Sequence, residues 1–402
     1  MRSVRVQLAL QEPVAVGDGL ITNQNVRLSL DYIPGGVLRG ALAQSLLEAA
    51  HKHSTSGRAI ANPNLSAELA EGQFQLLQRV RFSHLYSSPH SALPAPATML
   101  RCREDSTHRY DTLAALIGRR SWEMQCPACG GRLERDRGYL YRAEDGWRAA
   151  FTPPKQQYRR LGISRLTGAV QSGTFFYNVE AIQPVYATPH QESLSRVVFS
   201  GTLTFLDDAD YEPFRELLRC ALPSPEPERW ELRIGSARAR GFGRVQMSLH
   251  ATEPEPAPAE RLRQFREWLG EPVFTLMAHS QIIAFHRGRP ADTLTPEVLN
   301  AYLPGLPSSV QWIPEATRVE REGVGGWSQA WGLHKPTYTA FARGSVFTYS
   351  YDPSQQDELA QWLSVLLDRG IGERTMEGYG QFVVCGDVHR VHAYPTAGGT
   401  YA

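Results

Sequence analysis

The sequence predicts an α+β protein of two ferredoxin-like units in tandem, the first of them interrupted by a zinc-knuckle insertion. Three observations predict it. Ile234-Gly-Ser-Ala-Arg-Ala-Arg-Gly-Phe-Gly243 recurs at identical spacing as Ile371-Gly-Glu-Arg-Thr-Met-Glu-Gly-Tyr-Gly380, so one supersecondary unit is present twice. Each copy follows an apolar helical stretch or strand and feeds another apolar run, Val245, Met247 and Leu249 in the first and Phe382, Val383 and Val384 in the second. Between the early elements and the first copy lies Cys126-Pro-Ala-Cys129-Gly-Gly131, the form of a zinc knuckle.

The elements follow in order. Val4, Val6, Leu8 and Leu10 alternate with Arg5, Gln7 and Ala9, the period of a half-buried first strand. A polar loop with Gly17, Asp18, Gly19, Asn23 and Asn25 comes next. Tyr32-Ile-Pro-Gly-Gly36 opens a helix whose Val37, Leu38, Ala41, Leu42, Ser45, Leu46 and Ala49 keep to one side. Phe175 to Ile182 and Val197 to Phe205 have the composition of the two following strands. Pro213 suits the first turn of a helix carrying Phe214, Leu217, Leu218 and Ala221. Trp230, Leu232 and Ile234 then lead into the first glycine loop and its strand. This is the order of a ferredoxin-like unit with a large insertion. It places the first domain at 1–252, with the Cys-rich insertion over about 83–160.

Residues 253–265 begin with three prolines in eight residues and read as the linker. The second domain takes 266–390. Val273 to Ala284 is its first strand, and Leu359, Trp362, Leu363, Leu366 and Leu367 form one face of the helix before the second loop. Trp327, Trp331 and His334 lie among the glycines of 323–343, a stretch that no periodicity assigns, and 391–402 is a tail.

The formal net charge of +1 argues against a uniformly basic nucleic-acid binder. The charge is uneven, however. Arg101 to Arg165 holds thirteen arginines and one lysine against eight acidic residues, a local field the total conceals. Lys52, Lys155 and Lys335 are the only lysines; arginine's planar fork suits phosphates and base stacking, and a codon bias gives the same ratio. No run has the length of a membrane span and the N-terminus lacks a signal-peptide stretch, which leads to the expectation of a cytoplasmic protein without membrane contact.

Five cysteines are too few and too uneven for a disulfide scaffold. Two residues between Cys126 and Cys129 let both sulfurs reach one tetrahedral ion, and Cys102 supplies a third ligand. His108 completes the set, with His84 and His90 as alternatives. A structural zinc would pin a loop too small to own a core. Cys220 and Cys385 have apolar neighbours and are expected in the core.

Taken together, these motifs resemble the RAMP superfamily of CRISPR-associated RNA-binding proteins. The matching residues are the two glycine-rich loops, Tyr32-Ile-Pro-Gly-Gly-Val-Leu-Arg-Gly-Ala-Leu42, and Ile163-Ser-Arg-Leu-Thr-Gly-Ala-Val-Gln-Ser-Gly-Thr-Phe-Phe-Tyr-Asn-Val-Glu-Ala-Ile182. Two-domain length and the inserted Cys102, His108 and Cys-Pro-x-Cys element are most similar to the type III-D Csx-ten family, a Cas-five-like subunit. That resemblance implies an RRM-like fold in both units. It also implies a type III effector subunit that holds the 5′ repeat-derived tag of the guide RNA, touches the large Cas-ten-like and backbone subunits, and meets target RNA only indirectly. Glu373 and Glu377 stand in the second loop where the first has Ser236 and Arg240, a departure that suits a protein neighbour better than RNA.

For RNA, the candidate contacts are Gly235, Arg238, Arg240, Gly241, Phe242, Gly243 and Arg244 of the first loop. To these are added the helix opening at Gly35 and Gly36 with Arg39 one turn in, and Arg159, Arg160 and Arg165. Phe242 either stacks on a base or packs under its loop. Catalysis is not expected. The candidates for the alternative, a guide-RNA processing endoribonuclease, are Asp18 in its glycine loop and His51 and His53 at the end of the first helix, each with an ordinary structural role available. A third reading is an adaptor that touches only protein.

Overall fold

The structure, a computed structural model, describes residues 1–17, 19, 26–53, 71–88, 90–144, 146–161, 167, 176–187, 194–252, 254–328 and 331–395. Asp18 and Arg165 lie outside the described residues. The backbone of His51 and His53 is helical, and their side chains also lie outside.

In the first unit the strand Arg2–Leu10 is followed by the helix Gly35–His53, the strands Val80–Phe82 and Val198–Phe205, the helix Tyr211–Ala221 and the strand Arg244–Ala251. In the sheet these strands stand in the order Arg244–Ala251, Arg2–Leu10, Val198–Phe205, Val80–Phe82, each antiparallel to its neighbour. Arg229–Arg233 adds an edge strand through a hairpin with Arg244–Ala251. The alternation of the first strand is visible in its burial: Val4, Val6, Leu8 and Leu10 are buried. They face Leu38, Leu42 and Leu46 of the first helix and Phe214, Leu217 and Leu218 of the second in one core.

The second unit repeats this plan. Val273–Ala278, the helix Pro296–Tyr302, Gln311–Trp312, Val346–Ser350, the helix Gln356–Arg369 and Phe382–Val384 follow one another. The strand order is Phe382–Val384, Val273–Ala278, Val346–Ser350, Gln311–Trp312, again antiparallel throughout. If strands are numbered within each unit, both sheets read 4-1-3-2. Leu359, Trp362, Leu363 and Leu366 of the last long helix are buried as its periodicity predicts, each worth about 2 kcal/mol.

Several expectations are corrected. The second strand of the first sheet is the three-residue Val80–Phe82, too short to show a period, and Phe176–Ile182 pairs instead with Lys155–Leu161 in a hairpin of another sheet. Val273 to Ala284 is strand only to Ala278. The linker is shorter than 253–265, because Pro258 starts a helix, Pro258–Leu269, at a first-turn position where its missing N–H costs nothing. The 323–343 stretch holds short paired strands, Arg321–Val324 with Tyr338–Phe341 and Trp327–Ser328 with Leu333–His334. Cys385 is buried, but Cys220 is exposed on its helix.

The insertion packs on both units: Tyr86, Ala92 and Tyr139 cluster with Tyr32 of the first, and its larger apolar share goes to the second. Leu93, Ala95, Met99, Leu113 and Leu140 share the core of the second unit with Phe274, Phe347 and Leu363. The Ala97 N–H donates to the carbonyl of Gly344 at 2.6 Å, and Trp147 Nε1 donates to Asp387 at 3.2 Å. From the other side, the end of the second unit and the start of the expected tail return to it: His389 Nδ1 lies 3.0 Å from the Asp111 carboxylate, and the N–H of Tyr394, in the tail, bonds the Asp111 carbonyl at 2.8 Å. No helix among the described residues is long and apolar enough to cross a membrane.

Candidate nucleic-acid interface and metal centre

The two glycine loops have one backbone. Gly235, Ala237, Gly241 and Gly243 have φ of 73°, 58°, 81° and 89°; Gly372, Arg374, Gly378 and Gly380, at the same offsets, have 88°, 61°, 96° and 71°. A 3-10 turn occupies the middle of each, Arg238–Arg240 and Thr375–Glu377. Both clamp the chain leaving the first strand of their own sheet. Ser236 donates to the carbonyl of Ala15 and Gly243 to that of Pro13, at 2.9 and 2.8 Å; Glu373 donates to Ile283 and Gly380 to Gln281, also at 2.9 and 2.8 Å. A Cβ on Gly235 would stand 2.4 Å from the Ala15 carbonyl oxygen, and one on Gly372 at 2.4 Å from that of Ile283. Close backbone approach therefore explains these glycines.

What the loops present differs. In the first, Arg240 and Arg244 are exposed and Arg238 half-buried. Phe242 is 2% exposed, packed with Ala15, Val179 and Ala181 and edge-on to Tyr158 at 5.0 Å between centroids. Its ring is thus the loop's anchor, and the base-stacking role is corrected. Cross-strand pairing of Arg160 with Tyr177 and of Tyr158 with Val179 puts these four on one face of the hairpin, toward the loop. Arg159, opposite Asn178, lies on the other face. The Arg160 guanidinium sits 5.1 Å over the Phe242 ring, Arg240 donates to the Tyr177 hydroxyl, and Arg27 lies 5.8 Å over the Tyr177 ring.

Among the described residues no carboxylate pairs with Arg159, Arg160, Arg238 or Arg240. Arg244, by contrast, shares Glu12 with Arg233, at 3.3 and 2.7 Å, so part of its charge is spent within the chain. Arg27 and Tyr177 were not among the expected contacts. Tyr177, Val179 and Ala181 alternate within the strand, and that period was the available signal for Tyr177; Arg27 lies in a two-residue strand with no pattern of its own.

The second loop meets the first unit. Its Glu377 carboxylate stands against the opening of the helix Gly35–His53, with Oε2 2.9 Å from where a Cβ on Gly36 would be. Lys335 Nζ binds it at 2.7 Å and Arg374 at 2.9 Å. Burial works against ionisation of Glu377, but Arg374 and Lys335 outweigh it and hold the carboxyl below its usual range. Beside it, the Gly35 N–H donates to His84 Nδ1 at 3.2 Å, His84 Nε2 lies 2.9 Å from Gln281 Oε1, and Gln281 Nε2 donates to the Tyr32 hydroxyl at 2.7 Å. Burial, aided by Arg343, pushes His84 down to about 3, so the ring is neutral and its Nε2–H is the donor to Gln281. The expected anion site at Gly35 and Gly36 is therefore corrected: the chain's own carboxylate and imidazole occupy that helix terminus. Arg39 remains half-buried one turn in.

The four predicted metal ligands converge. Cys102 ends the strand Met99–Cys102, His108 precedes its partner Arg109–Asp111, and Cys126 and Cys129 belong to a turn that runs into Leu133–Arg135 on the other side. The knuckle is closed by Cys126 N–H to Gly131 and Gly130 N–H to Cys126, at 2.7 and 2.8 Å. The ligand atoms of Cys102, His108, Cys126 and Cys129 all lie within 4.8 Å of one another, with Cys102 Sγ 3.4 Å from Cys129 Sγ and Cys126 Sγ 3.5 Å from His108 Nδ1. Bond lengths of about 2.3 Å to sulfur and about 2.0 Å to nitrogen require such separations around one tetrahedral ion. His108 Nε2 lies 3.5 Å from Asp105, the outer carboxylate that fixes a ligating ring. Desolvation opposes the Cys126 thiolate, but the N–H groups of Cys129 and Ala128 and the Tyr110 hydroxyl bring its pKa down. The Gly131 N–H favours the Cys129 thiolate, yet the neighbouring thiols of Cys102 and Cys126 push its pKa up. His84 and His90 are elsewhere, His84 at the joint of the units and His90 stacked on Tyr141.

No family model and no curated protein matches the chain. Among solved structures it is similar to a chain of the cryo-EM structure of the type III-B Cmr-beta complex bound to cognate target RNA and AMPPnP, at 12% identity and a TM-score of 0.41 over 86% of each chain. It is also similar to two Cas6 product complexes. One has 11% identity and a TM-score of 0.33 over 95% of this chain and 99% of the other; the second has 15% and 0.29 over 48% and 79%. At TM-scores of 0.41 and below, these likenesses fix neither the fold nor the function.

Proposed function

We propose that this chain is an RNA-binding subunit of a type III CRISPR effector complex, built from tandem ferredoxin-like RAMP domains and holding the 5′ repeat-derived tag of the guide RNA. The reading rests on the motif resemblance and on the 4-1-3-2 order found in both sheets. The observation that carries it is the set of Arg160, Arg238 and Arg240, which lack carboxylate partners among the described residues and lie where the first glycine loop meets the paired strands Lys155–Leu161 and Phe176–Ile182. Fixed cations beside a hairpin suit a phosphate backbone. The type III-D Csx-ten assignment, with contacts to the large and backbone subunits, is part of the same proposal. So is a structural zinc ion held by Cys102, His108, Cys126 and Cys129, which would brace the insertion against the second unit.

The subunit is proposed to bind rather than cut. Incubating the purified chain with a CRISPR repeat RNA tests this: a retained, uncut RNA is expected, weakened in Arg238→Ala/Arg240→Ala. Cleavage products that disappear in Asp18→Ala or His51→Ala would replace it with the endoribonuclease reading.

A further inference from the structure

Bound single-stranded RNA needs planes for its bases as well as cations for its phosphates, and the aromatic ring of the arginine loop is unavailable because Phe242 is buried. The exposed planes are elsewhere. Trp327 is 51% and Trp331 73% exposed, beside Leu333 at 63%, all on the short hairpin in which Trp327 pairs with His334 and Ser328 with Leu333. Tryptophan usually contributes its large apolar surface to a core or an interface. Two on one hairpin of two-residue strands do neither within this chain.

The hairpin is fixed beside the arginine face. His334 Nδ1 donates to the carbonyl of Gly19 at 3.2 Å, and the Gly326 N–H closes on Gly19 so tightly that a Cβ there would stand 2.1 Å away. Trp327 in turn meets His334 edge-on, with centroids 5.0 Å apart. Four residues before Gly19, Ala15 is the residue clamped by Gly235 and Ser236 of the arginine loop. Four Cα steps span at most roughly 14 Å. The tryptophan hairpin and the arginine loop therefore grip two ends of one short segment.

We infer that the hairpin carrying Trp327 and Trp331 is a base-stacking platform for single-stranded RNA whose phosphates lie on Arg160, Arg238 and Arg240. The inference rests on the RNA-binding reading above. Stacking accepts any base, so this element adds affinity without sequence preference.

The test compares binding of two probes to the full chain, a short single-stranded RNA and an abasic ribose-phosphate strand of the same length. Wild type prefers the base-bearing strand. Trp331→Ala lowers affinity for that strand about tenfold, leaves the abasic strand and the salt dependence unchanged, and Trp331→Phe restores most of the loss. An unchanged melting temperature, expected for so exposed a side chain, shows that folding is intact. Undiminished RNA affinity in Trp327→Ala/Trp331→Ala, with Arg238→Ala/Arg240→Ala still weakened, overturns the platform but leaves the arginine reading, and makes the hairpin a protein-docking surface. Absence of RNA affinity in the wild type overturns both.

Discussion

Glu377 places its carboxylate against Gly36, with Oε2 2.9 Å from where a Cβ would be, so the second glycine loop supplies the negative charge at the opening of the first unit's long helix. The contact gives the two copies of the repeat different work. One backbone fold clamps its own first strand in both units; the Arg238–Arg240 copy leaves cations outward, and the Thr375–Glu377 copy joins the units. Within the chain, Glu377 of the acidic copy packs against the first unit, while Glu373 stays exposed.

The joint predicts unequal costs for equivalent glycines. Gly241 and Gly378 occupy the same offset with φ of 81° and 96°, yet a Cβ on Gly241 meets nothing within 4 Å, while one on Gly378 would lie 2.4 Å from the Phe82 carbonyl oxygen and 2.8 Å from His84 Nδ1. Gly241→Ala is expected to cost about 1 kcal/mol, the left-handed backbone alone. Gly378→Ala adds the displacement of the first unit and is expected to cost about 3 kcal/mol or more. Denaturant unfolding of the two variants checks the order.

The same joint predicts a pH dependence. His84 is held neutral with its pKa pushed down to about 3, against an unfolded value of about 6.5, so the unfolded chain binds the extra proton first. Its contribution is complete above about pH 6.5 and is lost as pH falls from there toward 3. His279, also lowered by burial, acts in the same direction. Melting temperatures from pH 7 to pH 4 are expected to fall less steeply in His84→Gln than in the wild type. Equal slopes would remove His84 as a source of acid sensitivity.

Glycine spacing and the Cys-x2-Cys turn made the loops and the Cys126 and Cys129 part of the Cys/His cluster legible in the sequence, because both impose local backbone requirements that residue type reveals. The helices Gly35–His53, Tyr211–Ala221 and Gln356–Arg369 were legible for their period, whereas Pro258–Leu269 was read largely as linker because its prolines masked it. Val80–Phe82 was not, since three residues carry no period, and neither was the destination of the insertion, which depends on Leu93, Met99 and Leu140 finding Phe274 and Leu363 far along the chain. The burial of Phe242 and the capping of Gly35 and Gly36 were hidden for the same reason: each depends on a partner from another element.

The metal cluster predicts one zinc ion per chain by elemental analysis, with Cys126→Ser or Cys102→Ser losing it. A chelator is expected to lower the melting temperature of the wild type and to leave that of Cys126→Ser unchanged. Full stoichiometry in both cysteine variants would exclude these ligands. The His389 and Tyr394 contacts to the insertion predict that limited proteolysis after metal removal frees the C-terminal segment as well as the knuckle.

The most direct test of the account is the salt dependence of guide-tag RNA binding by the wild type and Arg238→Ala/Arg240→Ala. The affinity is expected to fall linearly in a log–log plot, with the variant's slope smaller by about 1 to 2 phosphates and its affinity lower at every salt concentration. Equal slopes and affinities in the two proteins, or RNA affinity absent at low salt, would contradict it.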